Sequence, residues 1–106
     1  MNPSWPRPES VILHATSAVD IAGSAAVNDT LLFAVRIYKN AGPATATITG
    51  LPESEAGGAV SRVLTGSNAA DLTFEFYGVM NSKAKLSITA SVADCVEVFY
   101  RKAFPG

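Results

Sequence analysis

The chain has 106 residues, a formal net charge of −1 and charged side chains at only 16% of its positions. That length corresponds to one domain and is sufficient to bury a core without metals or disulfides. A net charge near zero supplies no overall field that would hold nucleic acid or an anionic membrane. The single cysteine, Cys95, excludes an internal disulfide.

The first nine residues predict an extended arm. Pro3, Pro6 and Pro8 fix φ and remove backbone donors, so this segment cannot form a helix. The arm carries Trp5, which is expected to fold back on the domain or to dock on a neighbouring subunit, with a disordered arm as the third alternative. We find no signal-peptide pattern and no apolar run of the ~20 residues that span a membrane, so we expect folding in a cytoplasm. Residues 10–106 are expected to form a single β domain.

Strands dominate the first half of this domain. An apolar run at 11–15 predicts a buried strand, and residues 18–21 continue it or form a second one. Residues 30–39 predict a longer strand, with Leu31, Phe33, Val35 and Ile37 on one face and Leu32, Ala34, Arg36 and Tyr38 on the other. A turn at 40–43 precedes a strictly alternating run with Ala44, Ala46 and Ile48 facing inward. We expect these two runs to form a β-hairpin.

The second half begins with loops at 50–58 and 66–70 around a short strand at 59–65. Residues 71–102 then predict a three-strand antiparallel meander. Its inward residues are expected to be Leu72, Phe74, Phe76, Leu86, Ile88, Val96 and Val98. Tyr77 and Phe99 are left on the opposite side among Thr73, Glu75, Lys85 and Glu97. That side is a candidate subunit contact, and Gly78 weakens the first strand or permits a bulge.

The spacing of these runs determines the expected fold class. Turn signals about every ten to fourteen residues are typical of an all-β sandwich or barrel. We therefore predict an antiparallel β-sandwich or barrel of seven or eight short strands, Ig-like or jelly-roll-like, with very little helix.

Catalytic side chains are scarce. The one histidine, His14, lies in an apolar run and is expected to be structural or exposed, although a pair with Cys95 is conceivable. No basic cluster or helix N-terminus stands beside Cys95 to activate its thiol. Glu75 and Glu97 could form an acid/base dyad across neighbouring strands. Salt bridges with Arg62, Lys85 or Arg101 on a solvated face explain them better.

Metal, cofactor and nucleic-acid sites are not predicted either. The dispersed aspartates lie near strand ends, where they are expected to accept backbone hydrogen bonds: Asp20, Asp29, Asp71 and Asp94. No loop has the ligand spacing of a calcium site, and no glycine-rich phosphate loop is present. Basic residues alternate with acidic ones rather than forming a patch. We expect a protein that is not an enzyme and holds no cofactor.

Three stretches give the chain its general character: the proline-rich start at 1–8, the low-charge Ala/Thr body at 43–50, and the strands at 86–101. In these features it resembles the small accessory virion proteins of tailed bacteriophages, such as capsid decoration subunits, head-fibre bases and tail domains. The resemblance implies a virion subunit assembled in the host cytoplasm. It implies binding to copies of itself, as a trimer or another cyclic oligomer, and to a capsid or tail lattice.

The sequence leaves two candidate functions. The first is a structural virion subunit whose candidate interface residues are Trp5, Tyr38, Tyr77 and Phe99. The alternative is a carbohydrate- or ligand-binding β-sandwich module, in which Tyr38, Tyr77 or Tyr100 would stack on a sugar.

Overall fold

A computed structural model of the protein describes residues 8–21, 29–52, 60–82 and 84–103. These residues form eight strands: β1 (Glu9–Ile12), β2 (Val19–Asp20), β3 (Thr30–Ile37), β4 (Thr45–Leu51), β5 (Val60–Thr65), β6 (Leu72–Met80), β7 (Ser87–Ala90) and β8 (Val96–Lys102). They contain no helix, and hence none long and apolar enough to cross a membrane. Of the predicted arm, only Pro8 and Glu9 lie within the described residues.

The strands form two four-stranded antiparallel sheets. Sheet A has the order β1-β8-β3-β6, and sheet B has the order β2-β7-β4-β5. The first strand therefore pairs with the last, the second with the seventh, the third with the sixth and the fourth with the fifth, as if one long hairpin were folded over. This is the arrangement of a jelly roll. The predicted antiparallel sandwich of seven or eight strands is confirmed, in its jelly-roll form.

Two predicted strand pairings are wrong. β3 and β4 do not form a hairpin, because β3 pairs with β6 and β8 in sheet A while β4 pairs with β5 and β7 in sheet B. The meander at 71–102 is also absent, since β7 lies in sheet B and β3 separates β6 from β8. Alternation of apolar residues specifies which face of a strand is buried, but it does not specify the partner strand.

The core lies between the sheets and follows the predicted inward faces closely. Ala44, Ala46, Ile48, Leu86, Ile88, Val96 and Val98 are all completely buried. Leu72, Phe74 and Phe76 also face inward but are only half-buried, because they belong to the edge strand β6. Full burial of such a side chain stabilises the fold by roughly 1.5–3 kcal/mol.

A bulge in sheet A reverses the alternation of β3. The register shifts between Leu32 and Ala34 on both sides of β3: Phe33 is an extra residue against β8, whereas β6 has two more residues than β3 between the same pairings. Leu32 and Val35 are both buried on the inner side, so the prediction that Leu31 and Phe33 share a face with Val35 and Ile37 is wrong. On β6 the irregularity coincides with positive φ angles at Tyr77 (56°) and Gly78 (78°), as the glycine predicted.

Candidate interaction surface

The outer face of sheet A, which points away from sheet B, carries two rows of side chains across its four strands. Register partners on β1, β8, β3 and β6 form the first row: Ser10, Phe99, Ala34 and Glu75. The next row is Ile12, Glu97, Arg36 and Thr73. The residues between these rows, such as Val98 and Val35, are buried in the core, so both rows face outward.

Two arginines lie over aromatic rings on this face. The guanidinium carbon of Arg36 is 5.8 Å from the ring centre of Phe99, and that of Arg101 is 5.7 Å from the ring centre of Phe33. Arg36 Nε also donates a hydrogen bond of 3.2 Å to Thr73 Oγ1. Each cation–π contact contributes about 0.5–1 kcal/mol at an exposed site. Apolar rings and fixed positive charge therefore occur together on one sheet face.

A shallow depression of about 340 Å³ opens on this face. Its lining combines apolar, cationic, hydroxyl and carboxylate groups from Pro8, Phe33, Ala34, Arg36, Thr73, Glu75 and Phe99. The small side chain of Ala34, which stands between Phe99 and Glu75 in the first row, leaves the gap. Pro8 places the beginning of the described chain at the same depression.

Tyr38 is held at the end of this face by an acidic neighbour. Its hydroxyl donates a hydrogen bond of 2.6 Å to Glu97 Oε1. That hydrogen bond raises the pKa of Tyr38 above its ordinary value, partial burial and the charge of Glu97 act in the same direction, and Arg36 opposes them. Tyr38 is therefore a positioned donor rather than a free aromatic side chain.

This arrangement predicts the pH dependence of Tyr38. Its folded-state pKa is raised, so the stabilising contribution of the hydrogen bond is complete below the unfolded pKa of about 10 and is lost as the pH rises through the folded value. In an ultraviolet absorbance titration, the difference between the wild type and Tyr38→Phe should show a transition above pH 10. Glu97→Gln should move that transition downward. The same midpoint in Glu97→Gln as in the wild type would contradict the assignment.

The structure brings together some of the predicted interface residues and not others. Tyr38 and Phe99 lie on the outer face of sheet A, next to Glu97 and Arg36 respectively. Tyr77 is 88% exposed at the bulge of β6 but does not line the depression. Trp5 lies outside the described residues, so its role stays a prediction.

Several expectations about this side of the molecule are wrong. Lys85 lies just before β7 of sheet B rather than on sheet A, and its Nζ is 2.8 Å from Asp20 Oδ2 on β2. Tyr100 is only 6% exposed and cannot stack on a sugar. Phe33 was not predicted as part of the surface, because only the bulge turns it outward, whereas Arg101 was expected on a solvated face as a salt-bridge partner of Glu75 or Glu97. Gly78 was the one signal of that bulge, and it did not indicate the opposing residue.

The residues considered for catalysis are dispersed. His14 Nδ1 lies 2.5 Å from Asp94 Oδ1 in an exposed pair, whereas Cys95 is half-buried against the core. Glu75 and Glu97 are not on neighbouring strands, as a dyad was expected to require, because β3 lies between them.

The carboxylates in the described ranges do not converge on a common centre. Asp71 Oδ1 accepts a hydrogen bond of 2.9 Å from the backbone N–H of Lys39, as predicted for a strand-end aspartate. Asp29 accepts one of 2.9 Å from the hydroxyl of Thr30. In the part of the chain that the structure describes, no three His, Cys, Asp or Glu side chains are grouped so that they could hold a metal ion.

Comparison of the chain with protein-family models, with curated proteins and with solved structures gives no match. Function therefore has to be inferred from the fold and from the chemistry of this face. The jelly-roll arrangement alone does not determine it, because one fold carries many functions.

Proposed function

We propose that the chain is a non-enzymatic structural subunit of a virion, serving in capsid decoration and stabilisation or as a head or tail accessory protein. The observation that carries the proposal is the outer face of sheet A. It presents Phe33 and Phe99 beneath arginine guanidinium groups and beside an open depression. Aromatic residues and arginine are the side chains most enriched in protein–protein interfaces and in their energetic hot spots.

The fold and the composition support this proposal. Viral capsid domains are among the proteins built as eight-stranded jelly rolls, and lectins are another such group. Only 16% of the residues are charged, and this low charge suits a subunit that is partly covered by partners in an assembly.

The proposed partners are further copies of this chain and a capsid or tail protein lattice. Pro8, the first described residue, lines the depression. In the proposed contact, the arm and this sheet face bind the same neighbouring subunit. Trp5 would be the largest apolar group of that contact.

Incorporation into particles tests the proposal. We expect Phe99→Ser to remain folded but to be incorporated about 30-fold less, the effect of losing roughly 2 kcal/mol at an interface hot spot. Deletion of residues 1–8 should have a similar effect. The matched control is Val63→Ser, since Val63 is 58% exposed on the outer face of sheet B. The chain would be co-expressed with the capsid and tail proteins of the virus that encodes it and quantified in purified particles, with circular dichroism confirming the fold.

The carbohydrate-binding alternative is favoured by one observation, the 88% exposure of Tyr77. A sugar that stacks on this ring would bind the wild type and not Tyr77→Ala on a glycan array. Such binding, together with normal incorporation of Phe99→Ser and of the deletion variant, would overturn the structural proposal. A glycan array without binders and a loss of incorporation would support it.

A further inference from the structure

Among the described strands, β6 lies at an edge of sheet A and is paired with another strand on one side only. It is nine residues long, and among the described strands only β3 pairs with it. The second side of such a strand presents backbone N–H and C=O groups that can pair with another chain. Its inward residues Leu72, Phe74 and Phe76 are half-buried, whereas Val96 and Val98 on the central strand β8 are completely buried. Apolar surface and backbone donors are thus left at the same side of the sandwich.

We propose that β6 pairs antiparallel with β6 of a second copy about a twofold axis, joining the two four-stranded sheets A into one continuous sheet. The inference rests on the self-association in the proposed function, but not on the virion. Twofold symmetry requires the same two residues to face each other twice. Residues opposite each other must also share a face of the sheet, so inward residues pair with inward and outward with outward.

Charge and the number of paired residues together select one register from those that remain. Pairing Glu75 with itself places two carboxylates opposite each other, and pairing Thr73 with itself places Asp71 opposite Glu75. Pairing Phe74 with itself instead places Thr73 opposite Glu75 and Leu72 opposite Phe76. Like charges directly opposite are destabilising, whereas aromatic pairs across strands are favourable. Registers centred on Leu72 or Phe76 also avoid like-charge pairs, but each places only one residue of 72–76 opposite its counterpart, whereas the register centred on Phe74 pairs all five.

The outer face adds charge complementarity to this register. Glu97, Arg36 and Thr73 form a row that ends at β6, and Arg36 Nε is hydrogen bonded to Thr73 Oγ1 at 3.2 Å. Glu75 of the second copy would continue that row beside the arginine-bound Thr73, and symmetry repeats the contact. The positive φ angles of Tyr77 (56°) and Gly78 (78°) end the regular part of β6, so pairing extends over 72–76. A twofold contact makes a dimer rather than the trimer expected from the resemblance.

Charge substitutions at Thr73 test the contact. Thr73→Lys should tighten the dimer and Thr73→Glu should weaken it, each by about 2- to 30-fold in Kd because two pairs change together. Thr65→Lys and Thr65→Glu are matched controls, since Thr65 is an exposed threonine on β5, an edge strand of sheet B, and should leave Kd unchanged. Sedimentation equilibrium measures Kd. A monomeric wild type at all concentrations, or equal effects of both charges, would overturn the proposal.

Cysteine cross-linking tests the register in a Cys95→Ser background. Opposite residues have Cα separations suited to a disulfide, about 4.4–6.8 Å. Thr73→Cys and Glu75→Cys chains should therefore cross-link when mixed and oxidised, and neither should cross-link alone. A dimer formed by Glu75→Cys alone, by Thr73→Cys alone, or by no combination would overturn the register.

The two proposals fail separately. If the chain cross-links through positions 73 and 75 but does not enter particles, the β6 contact is supported and the virion function is overturned. If the chain is incorporated normally but never cross-links between these positions, the virion function is supported and the β6 contact is overturned.

Discussion

Replacing Asn81 by alanine should lower the free energy of unfolding by about 3–5 kcal/mol. The side chain is completely buried. Its Oδ1 accepts hydrogen bonds from the backbone N–H groups of Asp29 (3.1 Å) and Thr30 (2.9 Å), and its Nδ2 donates one of 3.0 Å to the carbonyl of Ala84. Alanine removes all three bonds, and each buried backbone group left without a partner costs about 1–3 kcal/mol.

Urea unfolding measures this loss. The matched control is Asn68→Ala, an exposed asparagine in the loop between β5 and β6, which should change the free energy of unfolding by less than about 0.5 kcal/mol. Equal effects at the two positions would show that the three hydrogen bonds of Asn81 do not stabilise the fold.

Replacing Gly50 by alanine should destabilise the protein by about 2–6 kcal/mol. Gly50 has a φ of 110°, which side chains rarely tolerate, and an added Cβ would lie 2.8 Å from the carbonyl oxygen of Lys85 and 2.9 Å from that of Ala84. Both obstacles are backbone atoms, so no side chain can move aside. Backbone strain and steric overlap therefore act together.

Thermal unfolding provides the measurement, since each kcal/mol corresponds to a shift of about 4–8 °C in the Tm of a domain this size. Gly42→Ala is the matched control, because nothing lies within 4 Å of an added Cβ there, and its Tm should hardly change. If Gly50→Ala has the same Tm as Gly42→Ala, the backbone at 84–85 must be able to move away from the added Cβ without destabilising the fold, which would contradict the prediction.

Both positions act on the same connection. After β6 the chain leaves sheet A, and Ser82 donates a backbone hydrogen bond of 2.9 Å to the carbonyl of Gly50 before β7 begins in sheet B. Asn81 and Gly50 each contact Ala84 in this crossing. Because they share that neighbour, we expect the effects of the two substitutions to be non-additive. The crossing is also where the predicted meander fails.

Where a strand is regular, its position and its buried face are properties that the sequence determines by itself. Alternation at 44–48 and 86–90 is a local pattern with a period of two, and it correctly predicts burial of Ile48 and Ile88. The number of strands and the all-β class follow from the same local signals. The candidate surface was predictable only in part. The alternation of each strand placed Phe99 and Tyr38 on an outward face, but it did not indicate which residues of other strands lie beside them.

Strand partners, and therefore the composition of the surface, are decided only by the tertiary structure. β8 pairs with β1 and β3, which lie far from it along the chain, because that arrangement closes both sheets over one core. The bulge at Phe33 depends on β6, whose Gly78 permits close approach of the ring. Arg36, Phe99 and Glu75 meet because three strands lie side by side in one register. Local alternation holds no information about such pairing, since every alternating strand presents the same unpaired backbone groups to any partner.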